Sequence, residues 1–121
     1  MTAKKPLVTY HIVVEQDDLT VRGNAMVSGD DAADKEIEDE ILSRLNRGDV
    51  WAWAWVKVVA SCQGFEGYDT LGGCCYKDEE DFKKDGYFES MKAEALHELK
   101  RHLENAASEG KKAAELLKKL S

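Results

Sequence analysis

The side chains that most often carry catalysis or bind metals are few in this sequence, and their spacing suits neither task. His97 and His102 stand five residues apart, whereas two histidines that share a metal on one helical face stand four apart. The three cysteines are Cys62, Cys74 and Cys75. They include no C-x-x-C pair and are too few for a four-cysteine zinc site. We expect no metal, no cofactor and no catalytic residue, with a thiol nucleophile that uses His11 as its base as the alternative.

Carboxylates cluster in two stretches of the chain. Residues 30–49 hold eight acids against three bases, and residues 77–85 hold five acids against three bases. One interpretation is a pair of solvated helix faces. The other is a negative surface that binds a basic groove of a protein partner and mimics nucleic acid. The acids assigned to that surface are Asp31, Asp34, Glu36, Glu38, Asp39, Glu40, Asp78, Glu79, Glu80 and Asp81.

Three tryptophans alternate with alanine in Trp51–Trp55, and side chains two apart in a strand share one face. Tyr76 of the following strand is expected on the same face. This aromatic face is either core beneath a helix or a partly exposed platform for self-association, for a partner protein or for a nucleotide-like small ligand. Few lysines or arginines surround it and the net charge is −7, so direct nucleic-acid binding is not expected.

Two hairpins are predicted to position these groups. Leu7–Glu15 and Leu19–Val27 alternate and are joined at Asp17-Asp18, a typical turn pair. Val50–Cys62 and Tyr68–Tyr76 form the second hairpin, with a bulge at Gly72-Gly73.

The second hairpin is expected to turn at Phe65-Glu66, which pairs Ala60 with Leu71. In this register one face is apolar and small, as close packing of a helix requires. That face consists of Ala52, Ala54, Val56, Val58, Ala60, Leu71 and Cys75.

Helices are predicted after each hairpin. Ser28–Asp31 is an N-cap cluster that opens a helix over Asp31–Arg47. The apolar face of that helix is Ala33, Ile37, Ile41, Leu42 and Leu45. Asp78–Phe82 starts another helix or turn, Asp85-Gly86 interrupts it, and the chain is helical from Tyr87 almost to its end.

The last helix carries an apolar heptad series that predicts self-association. Its members are Leu96, Leu99, Leu103, Ala106, Gly110, Ala113, Leu117 and Leu120. The helix either runs through Gly110 or breaks near Ser108–Gly110, and we favour one helix. It is too long to be covered by a small sheet, so its far end should project and meet another chain, with a dimer favoured.

These elements predict one α+β domain over residues 1–121. Its four-stranded antiparallel sheet has the order ββαββα, helices pack on one face, and residues 87–120 form the long C-terminal helix. The longest apolar run, near Val50–Val56, is far short of the ~20 residues that span a membrane. No secretory signal is recognised, so a cytoplasmic location is expected.

Residues 51–99 resemble small proteins encoded by bacteriophages and other mobile elements. The segments that carry the resemblance are Trp51-Ala52-Trp53, Gly64-Phe65-Glu66-Gly67, Leu71-Gly72-Gly73-Cys74 and Asp78-Glu79-Glu80-Asp81-Phe82, followed by Tyr87 and Met91. The resemblance implies an accessory, anti-defence role of the anti-CRISPR kind in a bacterial host cell.

The leading hypothesis is therefore a non-enzymatic acidic protein that inhibits a host nucleic-acid-processing complex by protein contact. The alternatives are a homo-oligomeric assembly protein and a small-ligand binder that uses the aromatic face.

Overall fold

The computed structural model describes residues 6–121, and the predicted absence of a secretory signal falls partly on residues 1–5, outside this range. The fold is α+β, with a three-stranded antiparallel sheet in the order β1-β2-β3 and a long C-terminal helix. Its elements are β1 (Thr9–Gln16), α1 (Asp31–Asn46), a short 3-10 helix (Val50–Ala52), β2 (Ala54–Cys62), β3 (Phe65–Cys74), α2 (Glu79–Lys84) and α3 (Gly86–Leu120).

The predicted strand Leu19–Val27 is not formed, so the sheet has three strands and not four. The Asp17 carboxylate accepts a hydrogen bond from the Leu19 backbone N–H at 2.9 Å, which closes a turn. Backbone bonds from Asn24 and Ala25 to the Val21 carbonyl then keep the segment coiled. β1 pairs instead with β2, although α1 lies between these two strands along the chain, and Ile12 is opposite Val58.

The β2–β3 hairpin turns two residues earlier than predicted. Gln63 and Gly64 both have positive φ, 46° and 87°, which matches the right-handed twist of the flanking strands in a two-residue turn. Ala60 therefore pairs with Gly67 and not with Leu71. The register is shifted by four residues, an even number, so Leu71 still lies on the predicted face.

The bulge predicted at Gly72-Gly73 is confirmed. Between the pairs Val56–Leu71 and Ala54–Cys74, two residues of β3 oppose the single residue Trp55. The extra residue puts Cys74 in the core and leaves Cys75 exposed, whereas Cys75 was expected on the apolar face.

The small apolar face of β2 is the one that α3 covers. Ala54, Val56, Val58 and Ala60 are fully buried. A Cβ added at Gly67 would lie 2.2 Å from the Leu99 backbone nitrogen and 2.3 Å from the Ala95 carbonyl oxygen. Glycine at this position therefore lets the backbone of α3 lie directly on β3.

Helix α1 forms almost as predicted, beginning after the Asp30 N-cap, but it does not lie on the covered face of the sheet. It packs on the 3-10 helix and on the 17–28 segment, in a cluster of Val21, Ala25, Ile41, Leu42, Leu45, Ala52 and Trp53. Its buried face also differs from the predicted apolar one, since Asp34 and Glu38 are buried while Ala33 and Ile37 are exposed.

Candidate functional site

Helix α3 divides into two parts that differ in what covers them. Leu99 is buried between the helix and the sheet, and Leu96 and Leu103 pack partly against the same cluster. The last polar contact is between His102 Nδ1 and the Glu66 carbonyl oxygen, 2.6 Å apart. Ala106 is half-buried, and every residue after it is exposed.

We call residues 107–120 the distal helix end. The predicted single helix is confirmed, because α3 continues through Gly110 to Leu120 without a break. At about 1.5 Å per residue the distal helix end is about 21 Å long. Its leucines have large exposed fractions, 57% for Leu116, 69% for Leu117 and 84% for Leu120. An apolar stripe on an otherwise uncovered helix is typical of a surface that binds another chain.

The distal helix end has a charge opposite to that of the rest of the chain. Four lysines against two glutamates give this segment a net charge of +2. The whole chain has a net charge of −7, so the remaining residues together carry −9. The charged residues are Glu109, Lys111, Lys112, Glu115, Lys118 and Lys119. None of these charged residues belongs to the apolar stripe, so the charged and apolar sides of the helix are separate.

Two of the acids predicted to bind a partner, Asp34 and Glu38, are buried and accept hydrogen bonds from within the chain. The Asp34 carboxylate accepts hydrogen bonds from the Ser28 backbone N–H at 3.0 Å and from the Ser28 hydroxyl at 2.5 Å. The Glu38 carboxylate accepts the Gly23 backbone N–H at 2.7 Å and pairs with Arg22, which also pairs with Asp39. These acids hold the 17–28 segment against α1, because each buried carboxylate accepts a backbone N–H of that segment.

The second acidic stretch is used mainly at helix ends. Asp78 caps α2 by accepting the Asp81 backbone N–H, while Asp81 accepts the Lys77 backbone N–H at 2.9 Å. Glu79 and Glu80 both lie 3.5 Å from the Lys83 ammonium. The predicted acids that remain exposed and outside these contacts are Asp31, Glu36 and Glu40.

The predicted aromatic face is not formed, because Trp51 lies in the 3-10 helix and precedes β2. Trp51 is buried in one cluster, and the half-buried Tyr76 packs against it, with ring centroids 5.6 Å and 5.3 Å from that of Phe82. Trp53 is buried in the cluster beneath α1, and its indole N–H donates to the Leu19 carbonyl at 2.7 Å. Among the tryptophans, only Trp55 is half-exposed, beside Asp17 at one end of the sheet.

Several titratable groups are tied into the core. Burial raises the pKa of the Cys74 thiol to about 11. Burial and the hydrogen bond that Tyr76 donates to Asp85 at 2.8 Å raise the pKa of Tyr76. The guanidinium of Arg44 lies 2.8 Å from the Asp49 carboxylate and lowers the pKa of Asp49. Arg44 also donates a hydrogen bond to the Tyr76 carbonyl, and in this way it joins α1 to the segment after β3.

Among residues 6–121, no group of three or more histidine, cysteine or acidic side chains is arranged to hold a metal ion. Across the same described residues, no helix has the length and apolarity needed to cross a membrane.

No protein-family model matches this chain, and no curated protein or solved structure compared with it matches either.

Sequence reasoning identified the stripe of the distal helix end but missed its width. Leu116 and Ala114 flank the stripe on either side and are exposed. A prediction based only on the two principal apolar positions of each heptad omits Leu116 and Ala114, although the residues that flank those positions affect how a second helix packs. The signal was present in the run Ala113-Ala114-Glu115-Leu116-Leu117, where four of five residues are apolar.

Proposed function

We propose that this chain is a non-enzymatic binding protein that acts through protein–protein contact at the distal helix end. The observation that carries the proposal is the uncovered apolar stripe of α3, where Leu116, Leu117 and Leu120 are more than half exposed. Exposing leucines in water is unfavourable by about 1.5–3 kcal/mol for each fully exposed side chain relative to burial. A second helix laid on the stripe recovers part of that free energy.

The rest of the molecule supports a role as scaffold for this helix. Gly67 allows close packing of the first part of α3 on the sheet, and the aromatic cluster around Phe82 fixes the start of α3. A helix held at one end and free at the other presents its stripe at a defined angle. Presenting a rigid surface in this way reduces the entropy lost on binding.

The test is a comparison of two aspartate substitutions in the distal helix end. Leu117→Asp puts a charge on the stripe, and Ser108→Asp puts the same charge on the outer face of the same helix. We expect sedimentation velocity to show concentration-dependent association of the wild type, which Leu117→Asp abolishes and Ser108→Asp retains. Neither change should alter the thermal unfolding of the sheet, since both positions lie beyond the last contact with it.

Two results would refute the proposal. One is a wild-type chain that stays monomeric at all concentrations and captures no other protein through Leu117. The other is an equal effect of Leu117→Asp and Ser108→Asp, because association would then depend on charge and not on the stripe.

A second candidate is an inhibitor that binds a basic surface of a host nucleic-acid-processing complex, as the phage resemblance of residues 51–99 implies. The outward carboxylates of Asp31, Glu36 and Glu40 on α1 favour it, since they are free of the internal contacts made by Asp34 and Glu38. Replacing all three by the corresponding amides should then abolish capture of a host protein. Capture that resists about 0.5 M salt would contradict this candidate, because exposed charges are screened there.

A further inference from the structure

The stripe of α3 is free only beyond the sheet. Leu103 packs partly against the sheet cluster and Ala106 is half-buried, so four stripe positions remain fully open to another chain. They are Gly110, Ala113, Leu117 and Leu120, at spacings of three, four and three. Two have small side chains or none, and two are leucines, with the small pair nearer the sheet.

We infer that the occupant of this stripe is the distal helix end of a second copy, running antiparallel, with Gly110 opposite Leu120 and Ala113 opposite Leu117. This inference rests on the proposed function and names its partner. Residue numbers of opposed positions sum to the same value throughout, so a two-fold axis passes through the level of Glu115. All four open positions are then used in both copies.

Side-chain size favours this register. In the antiparallel pair every layer contains one leucine and one small residue, so the layers have nearly equal volume and the helix axes stay parallel. A parallel pair would place Gly110 against Gly110 and Leu117 against Leu117. That arrangement leaves a gap at the glycine layer, because the leucine layers hold the two helices too far apart for Gly110 to meet Gly110. A Cβ added at Gly110 meets nothing within 4 Å among the described residues, so the sheet supplies no reason for glycine there.

The residues beside the stripe also fit a second copy. Near the two-fold axis, Leu116 of each copy flanks one side of the seam and Ala114 of each copy flanks the other. The lysines of the segment lie on the outer positions, away from the seam. No like charges are therefore brought together in the contact itself, and the flanks widen its apolar area.

The lysines of the distal helix end provide a way to distinguish a second copy from other occupants. Each distal helix end is positively charged, so two copies repel at long range and added salt should strengthen their association. An anionic membrane surface or an acidic partner would be attracted by the same lysines, and added salt would weaken its binding. Raising the salt concentration from about 0.05 M to about 0.5 M therefore separates these occupants by the direction of the change.

The test of the register is disulfide trapping with two variants that each carry one introduced cysteine, Ala113→Cys and Leu117→Cys. Both are made with Cys62→Ser and Cys75→Ser, and Cys74 is kept because it is buried. Under mild oxidation we expect neither variant alone to form a covalent dimer, and a mixture of the two to form a mixed disulfide. Opposed positions bring the Cβ atoms within the roughly 4 Å that a disulfide requires, whereas identical positions are offset along the helix.

The outcomes separate the register from the proposed function. Covalent dimers of each variant alone would show a parallel pair, and a reversible dimer without the mixed disulfide would show another register. Either result overturns the inference and leaves protein binding by the distal helix end in place. A chain that is monomeric by sedimentation at high salt overturns the second copy as occupant. Binding to phosphatidylserine vesicles that is lost at high salt, without self-association, would assign the stripe to a membrane surface.

Discussion

The two parts of α3 carry the same apolar period but meet different surroundings. In the first part, Leu99 is buried against β3, whose Gly67 allows the backbones to touch. In the distal helix end, Leu117 and Leu120 continue the same stripe and are exposed. The difference arises from the length of the sheet, because β2 and β3 end near residue 102 of the helix while α3 continues for about five more turns. An apolar stripe therefore shows which side of a helix is to be buried, and the fold decides how much of it remains for another molecule.

The largest expected effect that tests this contrast is the substitution of one glycine on the sheet. Gly67→Ala would place a Cβ 2.2 Å from the backbone nitrogen of Leu99, and helix backbone cannot yield as a flexible side chain can. We expect a loss of about 3 kcal/mol or more in the free energy of unfolding, measured by urea denaturation.

The matched control is Gly110→Ala in the distal helix end. It removes a glycine from a helix interior with open space around it, so the local helix gains about 1 kcal/mol and helicity rises by circular dichroism at low protein concentration. Equal destabilisation by both substitutions would contradict the division of α3 into a covered and an uncovered part.

A pair of leucine truncations tests the same contrast through side chains. Leu99→Ala leaves a cavity beneath the helix, and we expect a loss of about 2–5 kcal/mol in the free energy of unfolding. Leu117→Ala should change the unfolding of the monomer by no more than about 0.5 kcal/mol. Thermal unfolding at low concentration measures both, and a comparable loss at Leu117 would mean that the distal helix end contacts the body of the protein.

A smaller effect is expected for the acids of α1, where buried and exposed residues again differ. Glu38→Ala removes the acceptor of the Gly23 N–H and one of the two carboxylates that pair with Arg22, which should cost about 1–3 kcal/mol of unfolding free energy. Glu36→Ala, two residues away and exposed, should cost less than about 0.5 kcal/mol. If chemical denaturation gave the opposite order, Glu38 would not fasten the 17–28 segment.

Local patterns predicted those parts of the molecule whose causes are local. The N-cap of α1, the start of α2, the bulge at Gly72-Gly73 and the uninterrupted α3 each depend on residues within a few positions of one another. The covered face of β2 was also predicted correctly. A four-residue error in the hairpin register left it unchanged, since an even shift preserves which side chains point to each face.

The errors arise where distant residues decide the structure. The alternation in Leu19–Val27 predicts a strand, but Glu38 and Asp34 from α1 bind the backbone of this region as a coil. Trp51, Trp53 and Trp55 alternate as a strand would, yet a short 3-10 helix precedes β2. Trp51 therefore packs on Phe82, and Trp53 packs beneath α1. No count of nearby residues shows that an acid at position 38 faces inward while its neighbours face the solvent.

The most direct test of binding by the distal helix end is amide hydrogen exchange measured at a low and at a high protein concentration. We expect peptides covering residues 110–120 to exchange rapidly at low concentration, where the helix is uncovered, and to become protected at high concentration. Peptides from the part of α3 that contains Leu99 should be protected equally at both concentrations. Exchange in residues 110–120 that does not change with concentration, in the presence of salt that screens the lysines, would contradict self-association through the distal helix end.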